Sequence, residues 1–222
     1  MNMSLLDSVR ADVQSFLENN KKLMFNERDL QMHLALYLLN TQKYTNVHME
    51  YYVPYEKLSN YVWNNELRLD IVVEYNGEFC PIELKYKTKQ GKEDLDIKRF
   101  GESLEGVVIL KNQSAQDLAR YDFWKDIRRI ELVKGRFEKV SGGLAIFVTN
   151  DPAYKKSPRK DSNNLHFSLE GGTHSKKKNW VDNKRPCAEN RPNFEVNKDY
   201  EIRWDNYTIG KETNFHYCIV SI

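Results

Sequence analysis

The stretch Leu67–Lys87, LRLDIVVEYNGEFCPIELKYK, decides the fold that the sequence predicts. Two apolar, β-branched runs flank the dipeptide Asn76-Gly77. Asn-Gly favours a two-residue type I′ turn, because both turn residues need a positive φ. The stretch therefore predicts a β-hairpin, and its short loop fixes the register of the two strands. In that register Asp70 faces Glu83.

The two faces of this predicted hairpin differ in chemistry, because side chains alternate between the faces of a strand. One face is apolar and consists of Leu69, Ile71, Val73, Cys80, Ile82 and Leu84. The other consists of Arg68, Asp70, Val72, Pro81, Glu83 and Lys85, with Arg68 facing Lys85. Like charges directly opposite each other destabilise a sheet. A divalent cation such as Mg²⁺, which prefers carboxylate and carbonyl oxygens, would reverse the sign of the interaction between Asp70 and Glu83.

The spacing of these residues resembles a known motif. Asp70, twelve intervening residues and then Glu83-Leu84-Lys85 are similar to the signature of the PD-(D/E)XK nuclease superfamily, with Leu69 in place of its Pro. The resemblance implies that Asp70, Glu83 and the Leu84 carbonyl hold Mg²⁺, with Mn²⁺ as a substitute. It also implies that Lys85 orients or activates the water that cleaves a phosphodiester.

A helix is predicted to begin after Asn26, with Glu27, Leu30 and Leu34 on its core-facing side. An acid in the first turn of a helix is favoured by the helix dipole, and this alone can explain Glu27. In nucleases of the superfamily a Glu on the helix before the first strand often reaches the metal. The resemblance therefore implies that Glu27 is a fourth metal ligand and catalytic residue, and both interpretations stay open.

The order of predicted elements also resembles this superfamily. After the helix come a strand over Val47–Val53, the hairpin, a helix over Asn112–Val133 and a buried strand over Gly142–Thr149. Helix, three strands, helix and strand is the core order of the restriction-endonuclease-like fold. We therefore expect an α/β protein with a mixed sheet flanked by helices, whose core covers about residues 25–150.

The chain of 222 residues is expected to form one domain, residues 1–222. Within it, residues 151–222 are expected to form a basic loop and a C-terminal β-rich extension. The alternating runs Phe194–Ile209 and Asn214–Ile222 are predicted strands that extend the sheet or build a small β-layer. The apolar run Gly106–Leu110 is a further candidate strand.

The predicted helix over Asn112–Val133 resembles that of an uncharacterised bacterial group within the superfamily, in which a Gln lies near the helix start. Some superfamily nucleases carry Gln-x-x-x-Tyr here, but in this chain Arg120 follows Gln116 by four residues and Tyr121 comes next. Gln116 and Arg120 share one helix face, and we expect both to contact nucleic acid. The alternative is that Tyr121 and Trp124 are core residues and that Arg120 pairs with a nearby acid.

The charge of the chain is uneven. The net charge is only +2, which does not by itself indicate a partner. Residues 155–191, however, hold ten Lys or Arg against four Asp or Glu, and such asymmetry is typical of a surface that faces a polyanion. The residues of this segment expected to contact phosphates are Lys176, Lys177, Lys178, Lys184 and Arg185, and Arg68 of the hairpin is also expected to contact nucleic acid. The alternative is a solvated basic loop.

Other classes of protein are disfavoured. Three cysteines without paired spacing do not indicate a disulfide framework or a zinc site. The apolar runs are too short to span a membrane, and the motifs of P-loop, dinucleotide-binding and serine-hydrolase proteins are missing. We expect a cytoplasmic protein with no membrane partner, and a homodimer is one further option.

The leading hypothesis is a Mg²⁺-dependent nuclease, with DNA favoured as its substrate. Two alternatives share the fold: a non-catalytic module for binding nucleic acid or another partner, and a nuclease for RNA. A further alternative is that Asp70, Glu83, Arg68 and Lys85 form only a ladder of surface salt bridges.

Overall fold

The structure is a computed structural model. It describes residues 3–20, 22–90, 97–104, 108, 110–113, 115–209 and 213–222. Most of the candidate strand Gly106–Leu110 lies outside the described residues. The helices are Leu5–Asn19 (α1), Glu27–Asn40 (α2) and Gln116–Arg136 (α3). The strands are Asn46–Val53 (β1), Leu67–Tyr75 (β2), Glu78–Lys87 (β3), Ile97–Arg99 (β4), Glu102–Leu104 (β5), Leu144–Thr149 (β6), Gly172–His174 (β7), Lys177–Lys178 (β8), Phe194–Glu195 (β9), Tyr200–Ile202 (β10), Asp205–Ile209 (β11) and Thr213–Ser221 (β12).

The first two helices begin at side-chain caps. Ser4 Oγ accepts a hydrogen bond of 3.1 Å from the backbone N–H of Asp7. Asn26 Oδ1 accepts one of 2.9 Å from the backbone N–H of Asp29. Such caps satisfy N–H groups that have no partner inside the helix. The cap at Asn26 places Glu27 at the first helical position of α2, as the sequence predicts.

Helix α3 begins at Gln116, four residues later than predicted. Ala115 has a φ of 68°, in the left-handed region, so the helix cannot continue backwards through it. Tyr121 and Trp124 are both fully buried, which confirms that these two aromatic residues belong to the core.

The hairpin forms as predicted. Asn76 and Gly77 have φ values of 51° and 75°, both positive as a type I′ turn requires. The pairing of β2 with β3 places Ile71 opposite Ile82, which is the predicted register.

Six strands form one mixed sheet in the order β1-β2-β3-β6-β12-β11. β3 and β6 are parallel, and the other neighbouring pairs are antiparallel. β6 lies directly beside the hairpin, as expected from its apolar run. The C-terminal strands β11 and β12 complete this sheet.

Helices cover both faces of the sheet, and β6 shows why its sequence is continuously apolar. Its Ile146 and Val148 pack in the cluster that contains α1 and α2. Its Ala145 and Phe147 pack in the cluster that contains α3. A strand that is buried on both faces needs apolar residues at every position.

Helix α3 lies very close to the sheet at the start of β6. A Cβ atom at Gly143 would come within 2.6 Å of Ile130 Cγ2 and 2.7 Å of the Pro81 carbonyl oxygen. Only glycine allows this approach. The close packing brings the polar side chains of α3 next to β3.

The cysteines Cys80, Cys187 and Cys218 are free thiols, as their spacing predicts. In the described part of the chain, no helix combines the length and the apolar character needed to cross a membrane.

Candidate active site

The structure brings the residues predicted to be catalytic to one end of the hairpin. Asp70 lies in β2, Glu83 and Lys85 lie in β3, and Glu27 is the first residue of α2. Glu27 Oε2 accepts a hydrogen bond of 2.8 Å from the backbone N–H of Tyr86, and its Oε1 lies 4.0 Å from Lys85 Nζ. Helix α2 therefore delivers an acid to the carboxyl-terminal end of β3.

Asp70 holds the backbone of β3 with its side chain. Its Oδ2 accepts a hydrogen bond of 2.6 Å from the N–H of Leu84. The regular pairing of β2 with β3 ends at Ile71 and Ile82, so the prediction that Asp70 and Glu83 form a regular cross-strand pair is corrected. The reason is that β3 continues beside β6 while β2 stays beside β1.

Gln31 of α2 fixes the backbone at Asp70. Its Nε2 donates to the Asp70 carbonyl at 2.7 Å and to Glu50 Oε1 at 3.0 Å. Glu50 has a φ of 50°, and the otherwise continuous pairing of β1 with β2 skips Glu50 and Asp70. Because the strand is irregular here, Leu69 packs with Val133 of α3 and not on the predicted apolar face.

Glu83 is a buried carboxylate with few partners. Its side chain is 3% exposed, and Oε1 has no hydrogen-bond partner among the described residues. Arg129 Nη1 lies 3.8 Å from this oxygen. Burial and the charges of Asp126 and Asp70 raise the pKa of Glu83 well above its ordinary value, and Arg129 and Lys85 offset only part of that rise. A buried oxygen that lacks a hydrogen-bond partner is a suitable ligand for a cation.

Lys85 is the cation at the centre of this group. Its Nζ donates to the Leu84 carbonyl at 2.9 Å. It also lies 2.7 Å from Asp126 Oδ2, in an ion pair whose angles are not those of a hydrogen bond. Burial alone would lower the pKa of Lys85, but the surrounding carboxylates raise it above its ordinary value; they are Asp126, Glu27, Glu83 and Asp70. Lys85 is therefore an ammonium ion at neutral pH.

Burial also raises the pKa of Asp70, to about 6. The charge of Lys85 and the hydrogen bond from Leu84 lower this pKa, whereas Asp126 and Glu27 raise it further. We call the six residues Glu27, Asp70, Glu83, Lys85, Asp126 and Arg129 the carboxylate cluster. Four acids and two bases meet in it, and a further cation would stabilise the ionised acids.

Asp126 and Arg129 are members of the cluster that the sequence does not single out. They lie on α3 and are 2% and 8% exposed, and Arg129 Nη1 is 3.6 Å from Asp126 Oδ1. A signal was present: Asp122, Lys125, Asp126 and Arg129 recur at helical spacing between core residues. That spacing places charge along one side of a buried helix.

Arg68 does not face Lys85, because the pairing of β2 with β3 ends before it. It pairs instead with Tyr52 of β1, and its guanidinium lies 5.8 Å from the centroid of that ring. Its Nε and Nη2 donate to the two carboxylate oxygens of Glu66, each at 2.9 Å. Its contact with nucleic acid stays a prediction.

In the basic segment, residues 155–191, most of the cations expected to contact phosphates are exposed, but Lys178 is not. Its exposed cations include Lys176, Lys177, Lys184 and Arg185. Lys178 is only 1% exposed, and its Nζ lies 3.4 Å from the centroid of the Trp124 ring. Burial lowers the pKa of Lys178 to about 7. The prediction that Lys178 contacts a phosphate does not fit this position, because the aromatic ring takes the place of a ligand or solvent.

Gln116 and Arg120 lie on the first two turns of α3. Gln116 Nε2 donates to Asp151 Oδ2 at 2.6 Å. Arg120 Nη2 donates to the carbonyls of Ala153 and Lys156, at 2.7 and 3.1 Å. Both side chains therefore meet the segment that follows β6.

No group of three or more His, Cys, Asp and Glu side chains in the described ranges is arranged to hold a metal ion. Instead, Lys85 and Arg129 lie between the acids of the cluster. A comparison of the chain with protein-family models, with curated proteins and with solved structures finds no match. Function must therefore be inferred from the chemistry of the site.

Proposed function

We propose that the protein is a Mg²⁺-dependent nuclease with a restriction-endonuclease-like fold, which hydrolyses phosphodiester bonds in DNA. One observation carries this proposal: Asp70, Glu83 and Lys85 meet at the end of the hairpin, and Glu27 reaches the same place from α2. The six-stranded mixed sheet with helices on both faces is the scaffold expected for such a site.

The oxygens of the cluster suit a hard divalent cation. Carboxylates and a backbone carbonyl are the ligands that Mg²⁺ prefers. Oε1 of buried Glu83 has no hydrogen-bond partner among the described residues, and a cation would supply one. To hold Mg²⁺, or Mn²⁺ in its place, Asp70, Glu83, Glu27 and the Leu84 carbonyl would have to come closer together than they do here. The ion would act as a Lewis acid and lower the pKa of a bound water.

Lys85 has the role of a cation and not of a base. The carboxylates around it raise its pKa, so its ammonium group keeps its protons at neutral pH. An ammonium can donate to a water molecule and to a phosphate oxygen, and so orient one and offset the charge of the other. One of the three N–H groups of Lys85 now donates to the Leu84 carbonyl.

Arg129 supports this arrangement from α3. Its Nη1 lies 3.8 Å from Glu83 Oε1 and 3.6 Å from Asp126 Oδ1. A buried carboxylate without a nearby cation would become protonated. Arg129 therefore offsets part of the rise in the pKa of Glu83.

One observation favours the non-catalytic alternative, a module that binds nucleic acid or another partner on the same fold. Lys85 and Arg129 already offset much of the acidic charge of the cluster, through Asp126 in particular. A cluster whose charges are balanced internally can be structural.

A cleavage assay separates these two functions. Purified protein is incubated with supercoiled plasmid, linear duplex DNA, single-stranded DNA and RNA, in Mg²⁺, in Mn²⁺ and in a chelator. The nuclease proposal expects cleavage of DNA with either metal and none with the chelator. Binding without cleavage of any substrate would support the non-catalytic alternative, and cleavage of RNA alone would correct the substrate.

A further inference from the structure

A second polar site lies beside the start of helix α3. It is a cleft of about 800 Å³ between the first turns of α3 and the segments around residues 153–164 and 185–187. None of the six residues of the carboxylate cluster lines it. The cleft is therefore distinct from the candidate active site.

The wall of the cleft contains a buried cation without a counter-ion. Arg120 is 3% exposed and forms no ion pair with any residue that the structure describes. Its Nη2 donates to two backbone carbonyls, but within the same described residues its Nε and Nη1 have no acceptor. Burial lowers the pKa of Arg120. The guanidinium also lies 5.7 Å from the centroid of the Tyr154 ring. Its Nε and Nη1 nevertheless lack acceptors in the described part of the chain, which is costly for a buried charged donor, and an anion would supply them.

The rim of the cleft is basic. Lys156, Arg159 and Arg185 line it and are exposed, against two lining acids, Asp117 and Asp161. Arg185 also lies 3.9 Å from Asp182, in an exposed ion pair. The excess of exposed positive charge attracts anions from solution. Helix α3 also starts at this cleft without a side-chain cap. The N-terminal end of its dipole is positive and attracts anions as the basic residues do.

A further group in the wall indicates more than a simple anion. Gln113 lines the cleft, and its buried Oε1 has no donor among the residues described. This oxygen would accept a hydrogen bond from a hydroxyl or an amino group. A phosphate that belongs to a nucleotide has such groups close by, on its sugar and on its base.

We propose that this cleft binds a phosphate group of the nucleic acid that the carboxylate cluster cuts; the choice of nucleic acid rests on the proposed function. The guanidinium of Arg120 would form the forked contact that arginine makes with phosphate. Lys156, Arg159 and Arg185 would neutralise the remaining charge. Arg120 and Asp126 lie six residues apart on α3, a rise of about 9 Å along the helix axis.

The test is the affinity of the full chain for fluorescein-labelled oligonucleotides, measured by fluorescence anisotropy in a chelator over a range of salt concentrations. The variant Arg159→Ala/Arg185→Ala changes two exposed residues. It should bind about tenfold more weakly at low salt. Its log–log salt slope should fall by about two, since each duplex phosphate contributes about 0.9. The control Lys57→Ala/Lys134→Ala removes the same charge from exposed positions outside the cleft and should leave both quantities unchanged.

The buried guanidinium is tested by Arg120→Met, and by Arg120→Lys if the first variant does not fold. Arg120→Lys keeps the positive charge but cannot form the two-point contact of a guanidinium with phosphate. Either variant should weaken binding about tenfold. Probes with and without a 5′-phosphate identify the source of the phosphate. If the variants lose affinity only for the phosphorylated probe, the cleft binds a terminal phosphate. If they lose the same affinity for both probes, it binds an internal phosphate. Both results uphold the site.

Two results would overturn the proposal: a parent protein that binds none of these probes, or cleft variants whose affinity and salt slope equal those of the control. In the second case a buried water would be the partner of Arg120. Failure of the nuclease proposal can be recognised separately. A parent protein that binds through the cleft and cuts nothing upholds the cleft, whereas cleavage with unchanged affinity of the cleft variants rejects only the cleft.

Discussion

The carboxylate of Asp70 accepts a hydrogen bond of 2.6 Å from the backbone N–H of Leu84, at the point where the pairing of the two hairpin strands ends. The carbonyl of Leu84 accepts a hydrogen bond from Lys85 Nζ. The backbone of Leu84 thus links the carboxylate of Asp70 to the ammonium of Lys85. A change at Asp70 should therefore affect both the charge of the site and the position of β3.

The first prediction concerns Lys85→Met. The variant should lose at least about a hundredfold in cleavage rate, because no ammonium remains to orient the water or offset phosphate charge. It should also lose about 3 kcal/mol in the free energy of unfolding, because buried Asp126 loses its nearer cation and keeps only Arg129, at 3.6 Å. Initial cleavage rates and denaturant unfolding measure the two effects.

The double variant Lys85→Met/Asp126→Asn is the control for stability. It removes the charge of Asp126 together with that of Lys85, and it should recover most of the lost unfolding free energy without recovering cleavage. Cleavage at the parental rate by either variant would show that Lys85 is structural only.

The second prediction concerns the pH dependence of stability at Asp70. Burial raises the pKa of Asp70 from 3.8 to about 6, so the folded protein holds this proton more tightly than the unfolded chain. The stabilisation is complete below pH 4 and is lost as the pH rises through 6. Asp70→Asn should therefore be as stable as the parent near pH 4 and more stable at pH 8, by up to about 3 kcal/mol. Unfolding in a chelator at several pH values measures this difference, and a difference that does not vary with pH would contradict it.

The third prediction concerns metal binding without catalysis. A divalent ion competes with protons for the carboxylates of Asp70 and Glu83, whose pKa values are both raised. Mg²⁺ should therefore raise the melting temperature more at pH 8 than at pH 5.5. Glu83→Gln should show a much smaller rise at both values. An equal effect of Mg²⁺ on the parent and on Glu83→Gln would place the ion elsewhere.

The fourth prediction concerns Lys178. Burial lowers its pKa from 10.5 to about 7, so the unfolded chain binds this proton more tightly. The resulting destabilisation is complete below pH 7 and disappears as the pH rises through 10.5. Lys178→Met should be more stable than the parent at pH 6, with a gap that narrows towards pH 10, and should bind nucleic acid with the parental affinity. Thermal unfolding and anisotropy check both points, with exposed Lys177→Met as the matched variant. If Lys178→Met binds nucleic acid more weakly than Lys177→Met does, Lys178 contacts the nucleic acid after all.

The hairpin could be predicted because its determinants are local. The turn at Asn76-Gly77 and the alternation around it fix the register near the turn. They do not show that the pairing ends before Asp70, because that depends on β6 lying beside β3.

Contacts across the fold could not be read from the sequence in the same way. Asp126 and Arg129 reach Glu83 only because α3 packs tightly over Gly143. Lys178 belongs to a basic run that is typical of a solvated loop, and only its packing on Trp124 shows that it is buried.

The rate of DNA cleavage as a function of Mg²⁺ concentration, for the parent protein and for Asp70→Asn, tests the central claim most directly. The proposal predicts that the parental rate rises with Mg²⁺ to a plateau and vanishes in a chelator, while Asp70→Asn remains folded and cuts at no Mg²⁺ concentration. A parental protein that does not cut, or an Asp70→Asn variant that cuts at the parental rate, would contradict the assignment of this cluster as a nuclease site.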